Sequence, residues 1–150
     1  MIAREPTPLE RRVAITQATL DAWKDRPFDW NGSHCIRLAA DHLRAMGYRP
    51  PLSRGGSFKT ALAARAALRR AGVATLVEAV DLMKLPRIAP AAALPGDLVA
   101  MPGEAPFEAL AVAVGNGRVL GFHQDAEGAI VQQPREYVAA WRVEPREAQR

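Results

Sequence analysis

The sequence contains a single cysteine, Cys35, and no hydrophobic run of membrane-spanning length. One cysteine cannot form an intrachain disulfide, so the composition favours assembly in a reducing compartment. The first residues lack the apolar core of a signal peptide, and no stretch approaches the roughly 20 apolar residues that cross a bilayer. We therefore expect synthesis in the cytoplasm and no membrane span.

Aromatic residues are scarce, at 6% of the chain, and the net charge is a modest +4. The arginines are interspersed with Asp and Glu, and the chain has no basic strand studded with aromatics of the RNA-binding kind. Basicity alone is a weak signal for nucleic acid, which we do not expect to be the main partner. The 150 residues suffice for one domain with a core of its own.

The hydrophobic period divides the chain into a helical half, about 8–85, and a strand-rich half, 96–143. Apolar residues recur at helical spacing in four segments, about 9–24, 34–46, 57–71 and 75–83. Residues 86–95 carry three prolines and form a semi-rigid connector. Beyond Pro95, short alternating segments and the turn Gly115-Asn116-Gly117 predict an antiparallel meander. We expect a single α+β domain over 1–143 and a mobile charged tail over 144–150.

Helical spacing also predicts which side chains point inward. The inward stripe of the first helix comprises Leu9, Val13, Thr16, Leu20 and Trp23, and that of the third comprises Phe58, Ala61, Leu62 and Ala66. A basic rim on the third helix is either a solvated face or a binding patch for an acidic partner; it comprises Lys59, Arg65, Arg69 and Arg70.

The segment around Cys35 has the features of a nucleophile site. Asn31 and Ser33 are both good N-cap residues, so a helix is predicted to begin here with Cys35 in its first turn. The partial positive charge of a helix N-terminus stabilises thiolate over thiol, and Gly32 permits close approach of a substrate. The alternative is a buried cysteine that packs as a small hydrophobe.

Several motifs resemble a known family of enzymes. Phe28-Asp29-Trp30-Asn31-Gly32-Ser33-His34-Cys35 resembles the nucleophile segment of the NlpC/P60 cysteine peptidases, aromatic-x-Trp-Gly-Gly-x-Asp-Cys. Leu94-Pro95-Gly96-Asp97-Leu98-Val99 resembles the Pro-Gly-Asp-Leu strand of that family. The resemblance implies a papain-like fold, in which the cysteine helix packs on a small curled antiparallel sheet or barrel.

Over about 9–143, the chain resembles more closely a small branch of this fold that is associated with phage and prophage tails and has no assigned function. The motifs that carry this likeness are Gly56-Ser57-Phe58-Lys59-Thr60, Arg69-Arg70-Ala71-Gly72 and Ala140-Trp141-Arg142-Val143.

The resemblance also implies where the supporting catalytic groups should lie. The family's catalytic histidine opens the second strand, where this chain has Ala109, and its third polar residue falls near Gly121. Neither residue can move a proton. Ala109, Ala111 and Ala113 share one face of that strand, and we expect the cysteine helix to pack closely against these small side chains.

Three histidines remain as substitutes for the missing base. His34 neighbours Cys35 in the sequence, and adjacent helical side chains do not face each other. His42 lies about 10 Å further along the helix. His123, two residues beyond Gly121, is either a displaced base or an ordinary strand-end histidine. We expect no metal site from His34, His42 and Cys35, because a fourth ligand at suitable spacing is lacking, and no cofactor.

Two functions are compatible with these residues. The first is a catalytically degenerate tail-tip or tail-assembly protein that contacts other phage tail proteins in the virion, after synthesis in the bacterial host. The second is an active cysteine amidase or endopeptidase that cuts peptidoglycan peptides during infection, with Cys35 as nucleophile and His123 as base. The loss of both supporting positions favours the first function.

Overall fold

A computed structural model describes residues 4–29, 34–50, 60–103, 108–122 and 128–146. Within these ranges, four helices precede five strands, with a short 3-10 helix over Pro90–Ala92. The helices are α1 (Pro8–Trp23), α2 (Cys35–Ala45), α3 (Ala61–Arg70) and α4 (Leu76–Asp81). The strands are β1 (Leu98–Met101), β2 (Ala109–Gly115), β3 (Arg118–Phe122), β4 (Ala129–Gln132) and β5 (Ala139–Trp141).

The predicted α+β architecture is confirmed. All the described strand pairs are antiparallel, and the sheet order is β4-β3-β2-β1-β5. The first four strands form a meander, and β5 returns to pair with the free edge of β1. The β2–β3 turn places Asn116 and Gly117 at φ 55° and 71°, the left-handed region that a tight hairpin turn of this kind requires.

The N-terminal ends of three helices follow directly from the sequence. A threonine side chain caps each of them by accepting a backbone N–H three residues ahead: Thr7 for α1, Thr60 for α3 and Thr75 for α4. The predicted start of the third helix near Ser57 is wrong, because Thr60 is extended and the helix begins at Ala61; Ser57 and Phe58 themselves lie outside the described residues.

The inward stripe predicted for α1 is wrong at its N-terminal end. Leu9 and Val13 are 56% and 48% exposed, whereas Arg12 is buried at 2%. The helix is rotated so that Arg12 reaches a buried carboxylate, and this polar contact overrides the apolar periodicity. In α3 the prediction for Leu62 is also wrong, because Leu62 is 76% exposed while Ala64 and Leu68 are buried.

The sheet separates two apolar clusters. Leu110 and Val112 of β2 belong to the larger cluster, together with the buried side of α2. Ala111 and Ala113 belong to the smaller cluster on the opposite face, which the connector residue Ile88 helps to cover. The predicted packing of α2 on the alanine face is therefore wrong. Leu110 and Val112 bury more apolar area against the helices than alanines would. The small side chains of Ala111 and Ala113 let the connector pack close to the other face of the sheet.

A buried ion pair joins α1 to both ends of the β half. Arg12 Nη1 donates to Asp97 Oδ1 at 3.1 Å and to the Pro95 carbonyl at 2.7 Å, and Arg12 Nη2 donates to the Val143 carbonyl at 2.9 Å. Asp97 also accepts the backbone N–H groups of Leu94 and Val143, each at 2.8 Å. These contacts satisfy two charged groups that are almost fully buried.

A second buried polar contact fixes α2 beside this ion pair. His42 Nε2 lies 2.9 Å from the Gly96 carbonyl oxygen, and Nδ1 lies 2.8 Å from Thr19 Oγ1. Because a carbonyl can only accept, Nε2 carries the proton and Nδ1 accepts from the threonine hydroxyl. Gly96 has φ +94°, and a Cβ there would stand 2.8 Å from Thr16 Oγ1. Glycine is thus required where α1 meets the start of β1.

Residues beyond β5 continue these contacts. Tyr48 Oη donates to the Glu144 carbonyl at 2.8 Å, and the Arg146 N–H donates to the Met46 carbonyl at 2.7 Å. The segment predicted to be mobile is therefore held in place as far as Arg146, and residues 147–150 lie outside the described ranges.

We expect Asp97→Asn to destabilise the fold strongly. The substitution keeps the side-chain volume but removes the buried carboxylate, so that the Arg12 guanidinium keeps only the largely exposed Glu144 carboxylate, 3.4 Å away. Losing the buried partner of a buried charge costs about 3–5 kcal/mol. Urea denaturation measures the change in the free energy of unfolding. Asp21→Asn, at an exposed position of α1, is the matched control and should have little effect. A loss below about 1 kcal/mol for Asp97→Asn, typical of surface pairs, would contradict this account.

His42 predicts a pH dependence of stability. Burial lowers the pKa of His42 to about 4, against the opposing effect of the Gly96 carbonyl. The unfolded chain therefore binds the proton more readily, and stability falls as the pH drops from about 6.5 to 4, by up to about 3 kcal/mol. His42→Gln should flatten this part of the pH–stability curve, whatever its effect on stability at neutral pH. An unchanged slope in that variant would exclude His42 as its source.

Candidate functional site

The candidate site lies at the N-terminus of α2. Cys35 is the first residue of the helix, so the prediction that it lies in the first turn is confirmed. The N-cap is His34, not Asn31 or Ser33: His34 Nδ1 accepts the Arg37 N–H at 3.2 Å. The predicted approach of a substrate at Gly32 lies outside the described residues.

The chain that leads to Cys35 is anchored on the far strands of the sheet. The Asp25 N–H donates to the Ala129 carbonyl, and the Ala129 N–H donates to the Arg26 carbonyl. A Cβ at Gly128 would stand 2.6 Å from the Arg26 carbonyl oxygen, so glycine is needed for this close backbone pairing. The ring of Phe28 packs edge-on against Phe122 of β3, with centroids 5.7 Å apart.

The environment of Cys35 does not favour the thiolate. Cys35 packs against the larger apolar cluster, and burial raises the pKa of its thiol. Backbone hydrogen bonds from Leu110, Cys35 and Ile36 oppose this rise without cancelling it. The expected net stabilisation of the thiolate is therefore wrong, because desolvation of the charged sulfur outweighs the backbone hydrogen bonds that favour it.

Both described imidazoles are engaged elsewhere. The ring of His34 caps α2 through Nδ1, and burial is the main cause that lowers its pKa, followed by the charge of Arg37. The ring of His42 is fully buried between Thr19 and Gly96. Within the described ranges, neither imidazole hydrogen-bonds the Cys35 thiol. His123, predicted as a displaced base, lies outside those ranges.

The two positions at which the resemblance implies catalytic groups lie across the sheet from the cysteine. Ala109 packs against the smaller cluster, on the opposite face from Cys35. A Cβ at Gly121 would stand 3.0 Å from the Ala111 Cβ and 3.7 Å from Met101 Cε, both of that smaller cluster. His123 is a candidate base because it lies two residues beyond Gly121 in the sequence. Gly121 itself lies on the face of the sheet that points away from the Cys35 thiol.

An open cleft of about 580 Å³ lies beside Ala109, at the start of β2. Its lining residues are Met101, Pro102, Gly103, Ala109, Phe122, Gln132, Gln133, Pro134, Arg135 and Glu136. The buried Nε2 of Gln132 has no hydrogen-bond partner among the described residues. The cleft offers hydrogen-bond donors and acceptors, and its described lining residues include neither a nucleophile nor an imidazole. The chemistry of these residues suits non-covalent contacts.

The sequence analysis placed Thr16 of α1 on the inward face but missed the buried Arg12 and Thr19 of the same helix. Arg12, Thr16 and Thr19 recur at i, i+4 and i+7, a helical stripe of hydrogen-bonding side chains that could have signalled a buried network. Glu108 was also missed; its Oε1 accepts the Val77 N–H at 3.2 Å and ties α4 to the start of β2. The Glu108 contact joins residues 31 positions apart in the chain, so no local sequence pattern predicts it.

The described ranges contain neither a metal-binding cluster nor a membrane-spanning helix. Within the described ranges, no group of three His, Cys, Asp or Glu side chains is placed to hold a metal ion. None of the helices in those ranges combines the length and the apolar character needed to cross a bilayer.

Fold and site together define an α+β domain in which a lone cysteine opens a helix packed on an antiparallel meander. A family model described as a domain of unknown function (DUF6950) matches residues 9–143. Because this match covers most of the chain, the protein belongs to the DUF6950 family. A search of curated proteins found no match.

Alkylation reports the state of the thiol directly, since Cys35 is the only cysteine. We expect iodoacetamide to modify the folded protein at neutral pH more slowly than the denatured protein, because the pKa of the half-buried thiol is raised. The rate should still be climbing above the ordinary thiol pKa of about 8.5. A plateau below about pH 7 would reveal a thiolate stabilised by a neighbouring cation and would contradict this description.

Proposed function

We propose that the protein is a tail-tip or tail-assembly protein of a phage or prophage, built on a catalytically degenerate NlpC/P60-like fold. One observation carries the loss of catalysis: Cys35 stands at a helix N-terminus, yet burial raises the pKa of its thiol and both described imidazoles are engaged elsewhere. A cysteine hydrolase needs a base to activate the thiol and a proton donor for the leaving amine.

The papain-like part of the proposal is supported by where α2 lies. It packs its buried face, including Leu38 and Leu43, against the same apolar cluster as Leu110 and Val112 of β2. The first four strands follow one another as an antiparallel meander, and β5 pairs with β1. A helix that begins at the cysteine and packs on an antiparallel sheet supports this part of the proposal.

The motifs that carry the resemblance in the β half make scaffold contacts. Asp97, within the Pro-Gly-Asp-Leu motif, is the buried partner of Arg12. In the closing motif, Trp141 Nε1 donates to Asp81 Oδ1 at 2.8 Å, and the Val143 N–H donates to Asp97 Oδ1 at 2.8 Å. Residues of this kind stabilise a framework, which supports a structural module.

The tail context rests on the order and spacing of the motifs, which resemble the tail-associated branch. In this proposal the protein is made in the bacterial cytoplasm, is carried in the virion and contacts other proteins of the tail hub or tip. In this proposal the particle contacts peptidoglycan at most, and this protein does not cleave it.

Hydrolysis and assembly assays test the two halves of the proposal separately. We expect the purified protein to release no new products from peptidoglycan fragments, because the described site offers the thiol no base. Particles that carry Cys35→Ser should assemble and infect like the wild type, whereas removal of the whole protein should abolish tail assembly or infectivity. Cys35→Ala is the matched variant that removes the polar atom altogether, and it should behave like Cys35→Ser.

Two results would overturn this assignment. Cleavage by the wild type that disappears in both Cys35→Ser and His123→Ala would establish an active amidase with His123 as base. Normal, infectious particles in the absence of the protein would exclude a role in the tail.

A further inference from the structure

The outward face of α3 combines an apolar side chain with arginines. Leu62 is 76% exposed, and Arg65, Arg69 and Arg70 are exposed as well. The helix contains no acidic residue. Its inward contacts come from Ala64 and Leu68, which are buried at 2% and 3%.

Six arginines elsewhere in the described ranges form ion pairs with carboxylates of the same chain: Arg4 with Glu10, Arg12 with Asp97 and Glu144, Arg37 and Arg44 with Asp41, Arg87 with Asp81, and Arg142 with Asp97. In the part of the chain that the structure describes, the three arginines of α3 have no such partner. The helix dipole stabilises Arg69 and Arg70 in the last turn, but it does not account for Arg65 in the middle.

Helical geometry places the charges around the exposed leucine. At 3.6 residues per turn, Leu62 and Arg69 lie on nearly the same line of the helix surface, with Arg65 to one side and Arg70 to the other. Ala66 lies between Leu62 and Arg70 on this face, and its short side chain does not project beyond them. A partner can therefore approach the helix closely and contact the leucine while its own charges meet the arginines.

We propose that this face of α3, formed by Leu62, Arg65, Arg69 and Arg70, docks an acidic amphipathic segment of a partner protein. Carboxylates match the guanidinium groups in charge and in planar, bidentate geometry. An apolar residue among those carboxylates would cover Leu62, which a phosphate backbone would leave in water. The inference stands on α3 alone and does not depend on the tail assignment.

A synthetic amphipathic helical peptide of Glu, Ala and Leu, with its leucines on one face, is the probe. Fluorescence anisotropy of the labelled peptide should show saturable binding that weakens with added salt. Arg65→Ala/Arg69→Ala should raise the Kd about tenfold, and Leu62→Ala should raise it several-fold. The alanine variants keep helix propensity, and unchanged thermal unfolding checks that they fold.

The matched control is Arg118→Ala/Arg135→Ala, which removes the same charge from exposed positions of the β half. It should leave the Kd within about twofold of the wild type, because long-range charge alone contributes little at moderate salt. A peptide with the leucines replaced by alanine should bind more weakly to the wild type and equally to Leu62→Ala.

Four results would overturn the proposal. One is the absence of saturable peptide binding, and another is an equal loss of affinity in the control pair. A third is tighter binding of random-sequence duplex DNA that Arg65→Ala/Arg69→Ala abolishes, which would make this a nucleic-acid surface. The fourth is a dimer of the protein alone that Leu62→Ala dissociates, which would make the occupant a second copy of the chain.

Discussion

The ion pair between Arg12 and Asp97 is the contact on which the rest of the structure depends. Both side chains are almost completely removed from water, and a buried charge is tolerated only when it is paired and hydrogen-bonded. Asp97 meets this condition with the guanidinium and two backbone N–H groups. Arg142 Nε also lies 3.2 Å from Asp97 Oδ2, although its N–H does not point at that oxygen, so it contributes charge without a hydrogen bond.

This contact determines how the helical half sits on the sheet. To bring Arg12 to Asp97, α1 turns its polar stripe inward and leaves Leu9 and Val13 in water. The same rotation brings Thr19 to His42, which also bonds the Gly96 carbonyl. The histidine of α2 is therefore part of the scaffold, and its burial keeps it neutral and away from proton-transfer chemistry.

The position of α2 in turn decides the character of Cys35. Packing against the larger apolar cluster fixes the position of α2 on the sheet. The same packing desolvates the thiol of Cys35, the first residue of the helix. The strand positions where the resemblance implies catalytic groups are occupied by Ala109 and Gly121, on the other face of the sheet. A helix N-terminus is thus insufficient for a reactive cysteine, because burial and the absence of a nearby base in the described residues act against it.

Much of the fold could be read from the sequence, because it follows from local patterns. The switch of hydrophobic period beyond Pro95, the threonine caps and the Gly115-Asn116-Gly117 turn depend on neighbouring residues, and so does the place of Cys35 at the start of a helix. The rotation of α1, the face of β2 that meets α2 and the pKa of the thiol depend on residues far apart in the chain. Asp97 lies 85 positions beyond Arg12, and only folding brings that carboxylate to the arginine. Alternation along a strand shows which residues share a face, but the tertiary structure decides which face the helices cover.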